Sequence, residues 1–388
     1  MIVGSQAKSF SDAYPSVVEL LEKKGSIVAS RNGVCKEFLN FHTEIQCPQR
    51  RFVGGNNRGM NPFFLIAEAI WIAAGHSDVA FLSIFNSEIA KYSDDGKVFH
   101  APYGFRLRKY GARAEDGDRL VSHGIDQVAT VIRMLWNDPS DRRAVMSIWD
   151  AKQDLAADSK DIPCNDMVMI KVRDRQMHTT ICNRSNDVHW GLPTNVFQFS
   201  FLTELMAGCL DYVLGTQTHI SQSLHLYDWH EDITDAMRFC GFSNYTLYEG
   251  IGANCIPIDF NFESEVPPIR YVELSNYLND IIAQVKRAYL GEEVDKRVLD
   301  KIWKFSKILY AYTEMLLIYI DYKKSEGDKE ERRHRALNSI SALCVLIEAA
   351  GYRTDSWDLY YMCSAFFMRN LKDRSMYDQE LVKKLTAL

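Results

Sequence analysis

The chain has 388 residues, of which 47% are hydrophobic and 25% charged, and its net charge is −6. This composition is that of a globular protein large enough for two or three domains, or for one large domain with an extension. The net charge gives no sign of bulk nucleic-acid binding. The nine cysteines form no CxxC pair, which favours free thiols in a reducing compartment. No signal-peptide pattern opens the chain, and Glu314 interrupts the apolar run 308–320. We therefore expect a cytoplasmic protein that neither spans a membrane nor binds nucleic acid directly.

Helical and strand patterns alternate in the first half of the chain. Residues 14–24 and 61–75 have the apolar spacing of helices, and the second of these helices ends at Gly75. Residues 124–139 also predict a helix, which the sequence Asn-Asp-Pro ends. The next segment, 142–150, predicts a strand.

The middle of the chain predicts a hairpin, a helix and a further strand. Residues 165–174 and 177–185 alternate in polarity and are joined by a polar turn, as in a β-hairpin. Residues 194–210 predict a long buried helix, and residues 218–230 return to the alternation of a strand.

From about residue 268 the pattern is nearly all helical. Three periodic segments cover 274–290, 295–324 and 332–352, and the charged link 323–334 predicts an exposed turn. The change of pattern predicts two domains, 1–267 and an all-helical extension 268–388. The extension is interpreted first as packed helices; covering a dimer surface, closing the site and recruiting another enzyme are the alternatives.

Cys164 follows a proline and precedes the predicted strand 165–174. A thiol becomes a good nucleophile only when a nearby cation or base stabilises its thiolate. Taken alone, a cysteine at the start of a strand is more often structural. Cys182 and Cys209 lie in apolar patterns that suit buried structural thiols better.

Four arginines lie in turns or loops where an anion could bind, namely Arg31, Arg142, Arg143 and Arg184. A hydroxyl side chain, Ser185, follows the last of them. Guanidinium groups match the geometry of phosphate oxygens, so several together suit a dianion. For any single arginine, a solvated surface charge is the better interpretation.

Two acidic residues also stand out. Glu68 lies inside the apolar run 61–75, where a charge is costly unless it is paired or functional. The alternative is a helical residue that faces solvent. Asp187 lies on the same loop as Arg184 and Ser185.

Taken together, these residues resemble the thymidylate synthase family over residues 30–230. The matching segments are SRNG at Arg31, the apolar helix at Glu68, PYG at Tyr103, SDRR at Arg142 and Arg143, PC at Cys164, RSND from Arg184 to Asp187, GLPTN from Gly191 to Asn195, and HLY from His225 to Tyr227. One segment alone is weak, but the ordered set is specific. The resemblance implies an α+β fold with a large mixed β-sheet flanked by helices, and an obligate homodimer joined through that sheet.

The resemblance also implies a one-carbon transferase that uses 5,10-methylene-tetrahydrofolate as cosubstrate and no metal. Cys164 would attack C6 of a pyrimidine nucleotide, Tyr103 would lie beside it, and Glu68 would move protons through ordered water. Asp187 would bind the pterin of the folate and act in catalysis. Trp190 and Gly191 would lie on the folate side.

Nucleotide binding is implied in the same way. The phosphate would be held by Arg31, Arg184 and Ser185, with Arg142 and Arg143 reaching it from the partner subunit. The sugar 3′-hydroxyl would be held by His225 and Tyr227.

Asn195 matches the family position whose side chain recognises the pyrimidine base. An amide can donate to O4 and accept from N3–H of uracil, whereas the cytosine-specific branch of the family has Asp here. We therefore expect dUMP as the nucleotide. A mismatched buried donor or acceptor costs roughly 1–3 kcal/mol, so the preference should be real but leaky.

The folate side departs from ordinary synthases. Asn165 replaces a common histidine, Trp190 and Thr194 replace a leucine and a phenylalanine, and Tyr92 is a partial substitute for missing tryptophans. The helical extension also replaces a short closing segment. These changes favour a phage-type deoxyuridylate hydroxymethylase, acting in a bacterial host cytoplasm if phage-encoded. A divergent thymidylate synthase is the main alternative. A cytidylate hydroxymethylase and a silent nucleotide-binding relative are less favoured.

Overall fold

A mixed β-sheet of eight strands forms the middle of the molecule in our computed structural model, which describes residues 4–30, 32–52, 60–115, 119–122, 124–230, 255–354, 358–368 and 371. The strands of this sheet are β1 (Gly4–Ala7), β2 (Ser26–Ser30), β3 (Gly33–Ile45), β6 (Val145–Ser147), β7 (Asn165–Arg173), β8 (Gln176–Asn183), β9 (Asn186–Asp187) and β10 (Val213–Tyr227). Two further strands, β4 (Arg113–Glu115) and β5 (Arg119–Ser122), form a separate ribbon.

The strand order is β1-β3-β10-β8-β7-β6, with β2 on β3 and β9 on β10. The pairs β3/β10, β7/β8 and β6/β7 are antiparallel, whereas β1/β3, β8/β10 and β9/β10 are parallel. The hairpin β7/β8 pairs Asn165 with Asn183, so the residue before β7 and the residue after β8 meet at one edge. That meeting point brings Cys164 next to Arg184.

Twelve α-helices flank the sheet within the described residues. They are α1 (Phe10–Lys24), α2 (Pro62–Ala74), α3 (Val79–Ser83), α4 (Tyr103–Arg108), α5 (Gln127–Asn137), α6 (Ala151–Asp154), α7 (Gly191–Cys209), α8 (Pro267–Leu290), α9 (Lys296–Phe305), α10 (Lys307–Lys324), α11 (Lys329–Ala349) and α12 (Asp358–Met368). Within those ranges, no helix combines the length and the apolar character that a bilayer crossing requires.

Two buried helices carry residues toward the sheet. The helix α2 begins at the cap Asn61, whose side chain accepts from the backbone N–H of Phe63 at 3.0 Å, and it ends at Gly75 with φ 79°. Glycine favours this left-handed conformation because it has no Cβ. The helix α7 is buried along nearly its whole length and packs on both α2 and β10. Apolar side chains all round a helix are expected when neighbours cover every face.

One apolar core is continuous from the sheet through α2 and α7 to the C-terminal helices. Its aromatic part joins Phe63 of α2 to Tyr319 of α10 and to Phe366 and Phe367 of α12, with ring centroids 4.7–5.5 Å apart. A smaller cluster packs α1 against β3 and the first turns of α7. The C-terminal helices therefore support the helix that carries Glu68, and the domain boundary after residue 267 stays a prediction.

The predicted elements are confirmed with some corrections. The α+β class, the hairpin 165–185 and the helices near 14–24, 61–75, 124–139 and 194–210 are all present. The predicted strand 142–150 is wrong in extent, because only Val145–Ser147 pairs with β7.

The C-terminal helices begin and end at other residues than expected. The segment 295–324 is two helices, because Ser306 is extended with φ −154° and caps α10 by accepting from the N–H of Leu309. The predicted turn 323–334 shrinks to 325–328, because Asp328 and Glu331 form a capping box that starts α11.

Candidate active site

A short loop before β7 carries Cys164. Its backbone N–H donates to the Tyr103 hydroxyl at 3.4 Å, and its carbonyl accepts from the N–H of Arg184 at 3.0 Å. The Arg184 guanidinium donates to the carbonyls of Pro163 at 2.8 Å and Ile162 at 3.1 Å. Arg184 thus fixes the loop that presents the thiol and keeps three of its five N–H groups for other acceptors.

The thiol lies in a mixed electrostatic environment. Burial raises the pKa of Cys164, Arg184 opposes that rise, and the carboxylates of Asp161, Asp166 and Asp187 add to it. Arg184 is therefore the group that favours the thiolate, because an opposite charge stabilises the ionised form. The carboxyl of Asp166 is itself affected, since burial raises its pKa to about 6.

Tyr103 closes the site from α4. Its ring stacks on that of Phe199 of α7, with an angle of 23° between the planes and centroids 6.4 Å apart. Burial, and then the neighbouring Cys164, raise the pKa of its hydroxyl. Tyr103 is therefore protonated at neutral pH and can donate a hydrogen bond beside the sulfur.

Glu68 is partly buried on the inner face of α2. Its Oε2 accepts from Nε2 of Gln198 at 2.5 Å. Burial raises the pKa of Glu68 to about 7, although the Gln198 bond lowers it. A carboxyl that titrates near neutral pH can both take up and release protons during a reaction. The sequence pattern missed Gln198, whose signal is an amide inside an apolar helix.

A chain of buried polar side chains includes Asn165, the residue after Cys164, and reaches α7 at Asn195. Asn183 donates to Oδ1 of Asn165, whose Nδ2 donates to Oδ1 of Asn195 at 2.9 Å. Nδ2 of Asn195 donates to Asn186 at 3.2 Å, and Asn186 donates to Ser221 at 3.0 Å. All five side chains are at most 6% exposed. Sequence reasoning singled out Asn195 and Asn165 but not the other three residues; the available signal was polar residues inside buried strands.

The loop between β9 and α7 is shaped by Asp187. Its carboxylate accepts from the N–H of His189 at 3.0 Å and of Trp190 at 2.9 Å. The Trp190 indole is 45% exposed, and Gly191 begins the helix so close to Asn186 that a Cβ would approach its Oδ1 to 3.0 Å. Asp187 therefore holds Trp190 and Gly191 in place beside the buried amides.

The end of β10 supplies His225 and Tyr227. Strand pairing places His225 opposite Asp187, and the His225 ring meets the Tyr227 ring edge-on with centroids 5.0 Å apart. The Tyr227 hydroxyl lies 3.5 Å from Nδ2 of Asn32. The structure thus brings the predicted sugar-binding pair next to Asp187 and next to the turn after Ser30.

Three of the predicted phosphate ligands are arginines outside the Cys164 loop. Arg31 lies outside the described residues. Arg143 is 84% exposed and pairs with Asp141 at 2.7 Å, and the carbonyl of Arg142 accepts from Lys171. Lys171 is six residues along β7 from Asn165, or about 20 Å of extended strand. Within one chain, Arg142 and Arg143 therefore lie far from Cys164.

Ser185 is half-buried and follows Arg184 in the segment between β8 and β9. Among the described residues, the predicted site thus gathers around the start of β7, the first two turns of α7 and the end of β10. The two arginines before β6 are the exception.

Comparison with known proteins identifies the family of this chain and its class of enzyme. The family model for thymidylate synthase matches residues 13–238, and the chain belongs to the thymidylate synthase family. It is accordingly a folate-dependent one-carbon transferase, and enzymes of this family use methylene-tetrahydrofolate as cosubstrate.

The relatives narrow the comparison further. The chain is 34% identical over 289 residues to a deoxyuridylate hydroxymethyltransferase of Bacillus phage SP01, covering 72% of this chain and 73% of that protein. It is 32% identical to a protein of the same name from Pseudomonas phage M6, covering 58% and 61%. A bifunctional dihydrofolate reductase-thymidylate synthase of Plasmodium berghei (strain Anka) is 25% identical over 54% of this chain and 36% of that protein.

Proposed function

We propose that this protein converts dUMP, methylene-tetrahydrofolate and water into 5-hydroxymethyl-dUMP and tetrahydrofolate. The observation that carries the proposal is the position of Asn195, which Asn165 and Asn186 hold beside the Cys164 loop. The choice of water over hydride is supported by the two phage relatives named as deoxyuridylate hydroxymethyltransferases.

Base selection would follow from the fixed amide of Asn195. Its oxygen already accepts from Asn165 and its nitrogen already donates to Asn186, which leaves one lone pair and one hydrogen for the base. Those match N3–H and O4 of uracil. Cytosine would require the amide to turn over, and that would break two buried hydrogen bonds worth about 1 kcal/mol each.

The nucleophilic step would use Cys164, with Arg184 stabilising its thiolate and Tyr103 donating beside it. Attack of the sulfur on C6 makes C5 nucleophilic, and C5 then takes the one-carbon unit. Loss of the C5 proton and release of tetrahydrofolate leave a methylene group on C5. Water adds its hydroxyl to that carbon, and the C6–S bond breaks to return the thiolate. The reaction therefore requires no external reductant.

The remaining N–H groups of Arg184 and the hydroxyl of Ser185 would bind the phosphate. Arg31 of the same chain would bind it as well. His225 and Tyr227 would hold the sugar 3′-hydroxyl. The folate would lie along Trp190 and Gly191. Asp187, whose carboxylate accepts from the loop N–H groups of His189 and Trp190, would also accept from pterin N–H groups.

We further propose a homodimer in which Arg142 and Arg143 complete the partner's phosphate site, since neither can reach Cys164 of its own chain. Mixing Cys164→Ser chains with Arg143→Ala chains tests this. Activity recovered in the mixture is expected, because each heterodimer would contain one intact site. A mixture as inactive as its components, although heterodimers have formed, would refute the shared site.

The test of the proposed function is the product itself. Purified protein is incubated with dUMP and methylene-tetrahydrofolate, and nucleotide and folate products are identified by mass spectrometry, with Cys164→Ser as the blank. Hydroxymethyl-dUMP with tetrahydrofolate is expected. Thymidylate with dihydrofolate would refute the proposal and make the protein a synthase.

A further inference from the structure

In the Gln198 side chain the amide nitrogen is hydrogen-bonded, whereas the amide oxygen is buried without a partner among the described residues. Gln198 lies one helical turn after Asn195 on α7 and is 2% exposed. Its Nε2 donates to Glu68, whereas its Oε1 has no hydrogen-bond partner among the described residues. The bond to Glu68 fixes the direction of the amide, so this buried acceptor is held beside the carboxyl that titrates near neutral pH.

Buried polar atoms in native proteins nearly always have a partner, and ordered water supplies one where protein does not. Other buried atoms in the described part of the chain share this property, among them Oδ1 of Asn183 and Oε1 of Gln217. Gln217 donates to the carbonyl of Val196 on α7, so it lies against the same helix. A water bound at Gln198 would supply the missing partner of Oε1, with the Glu68 carboxyl as a second polar contact.

We propose that Gln198 is a positioning residue that holds, together with Glu68, the water molecule that adds to the C5-methylene group. This inference rests on the proposed function. Gln198 Oε1 accepts one hydrogen of the water and Glu68 accepts the other, which directs an oxygen lone pair at the methylene carbon.

The addition of water to the methylene carbon requires no further reactant. A bond forms between the water oxygen and the methylene carbon, and the water proton passes to the Glu68 carboxylate. The electron pair of the C5-methylene double bond moves to O4. It returns to form the C5–C6 double bond as the C6–S bond breaks and Cys164 leaves as thiolate.

A purely structural role for Gln198, as a tie between α2 and α7, makes different predictions. It would lower all rates together through loss of folded protein. Positioning of the water instead affects one step, after tetrahydrofolate has left. The methylene intermediate is an electrophile, so an added thiol competes with water for the same carbon and reports on that step alone.

The experiment compares Gln198→Leu with the unaltered protein in the presence of dUMP, methylene-tetrahydrofolate and 2-mercaptoethanol. We expect the ratio of hydroxymethyl product to thioether product to fall at least tenfold, with a much smaller change in tetrahydrofolate release. The acid limb of the kcat/KM profile should also move to higher pH, since the Gln198 bond lowers the pKa of Glu68.

Gln284→Leu is the matched control, because Gln284 on α8 is also buried, at 5% exposed, and its Oε1 accepts from the N–H of Asp295, away from Glu68. Its product ratio should equal that of the unaltered protein. Gln198→Asn is the second variant, which keeps an amide but withdraws it by one methylene, and it should shift the ratio in the same direction. An unchanged ratio in either folded Gln198 variant would overturn the inference. Thymidylate from the unaltered protein would instead overturn the proposed function.

Discussion

The helix α2 meets two different environments along its length. In its first turn, Phe63 is fully buried among aromatic rings of the C-terminal helices, stacked on Tyr319 with centroids 4.7 Å apart. Less than two turns later, Glu68 meets the amide of Gln198 at the edge of a layer of buried polar side chains. One region is held by apolar packing and the other by directed hydrogen bonds.

The difference teaches how each region should respond to change. Apolar packing has no preferred direction, so losing one side chain lowers stability by an amount that depends on the cavity left behind. A buried hydrogen-bonded chain is directional, so losing one member leaves its partner unsatisfied and disturbs the geometry at the next residue. Substitutions near Phe63 should therefore change the free energy of unfolding, and substitutions near Cys164 should change the chemistry.

The largest effect is expected for Cys164→Ser. Serine lacks an accessible alkoxide at neutral pH, so turnover should fall by about 10⁴-fold or more. Binding of dUMP, measured by calorimetry, should change only a few-fold, because Arg184 still fixes the loop. Substantial residual turnover would remove Cys164 from the mechanism.

Glu68→Gln should lower turnover by roughly 10²- to 10⁴-fold, the usual contribution of a general acid or base. In the unaltered protein, turnover should rise as pH passes about 7, because the carboxylate must be ionised to accept a proton and burial holds its pKa there. If the residual turnover of Glu68→Gln rises with pH in the same way, another group is responsible for the rise.

The same substitution should change stability in a defined pH range. Burial raises the folded pKa of Glu68 to about 7 from 4.5, so its contribution to stability is full below about 4.5 and is lost as pH rises through 7. The buried carboxyl of Asp358, with a pKa raised to about 7, acts in the same direction. Urea unfolding from pH 5 to 8 should show a shallower decline for Glu68→Gln, and an equal decline would contradict the assignment.

Phe63→Ala tests the apolar region. Removing the ring should lower the free energy of unfolding by about 3–5 kcal/mol, as for other buried phenylalanines. The folded fraction should retain turnover within a few-fold. Tyr319→Phe is the control, since it keeps the ring and removes only the hydroxyl that bonds to Asn61 at 3.2 Å, with a cost of about 1 kcal/mol. A loss of turnover in folded Phe63→Ala as large as that in Cys164→Ser would abolish the distinction between the regions.

Asn195→Asp should lower the rate less than Cys164→Ser or Glu68→Gln does, and it should have the clearest effect on selectivity. A carboxylate cannot donate to O4 of uracil, but it can accept from the 4-amino group of cytosine. The ratio of kcat/KM for dUMP to that for dCMP should fall roughly 5- to 150-fold, the equivalent of about 1–3 kcal/mol. An unchanged ratio would mean that Asn195 does not read the base.

The sequence by itself determined most of the helices and the hairpin, and it predicted the residues of the site. Capping residues, apolar spacing and the family segments around Cys164, Arg184 and Asn195 are local signals that a linear pattern carries. The local pattern predicted the bounds of an element less well where a residue distant in the chain sets them. The strand β6 is short because only three of its residues meet β7, and the break at Ser306 is fixed by contacts with Asp259.

Tertiary structure alone decided which polar groups meet. Nothing in the order of residues indicates that Asn165 bonds to Asn195, 30 positions later, or that Gln198 bonds to Glu68, 130 positions earlier. The distance of Arg143 from Cys164 likewise follows from the register of β6 on β7. Residue type states what a side chain can donate or accept, but burial and the partner set its pKa and its direction, and both depend on contacts between segments that are remote in the chain.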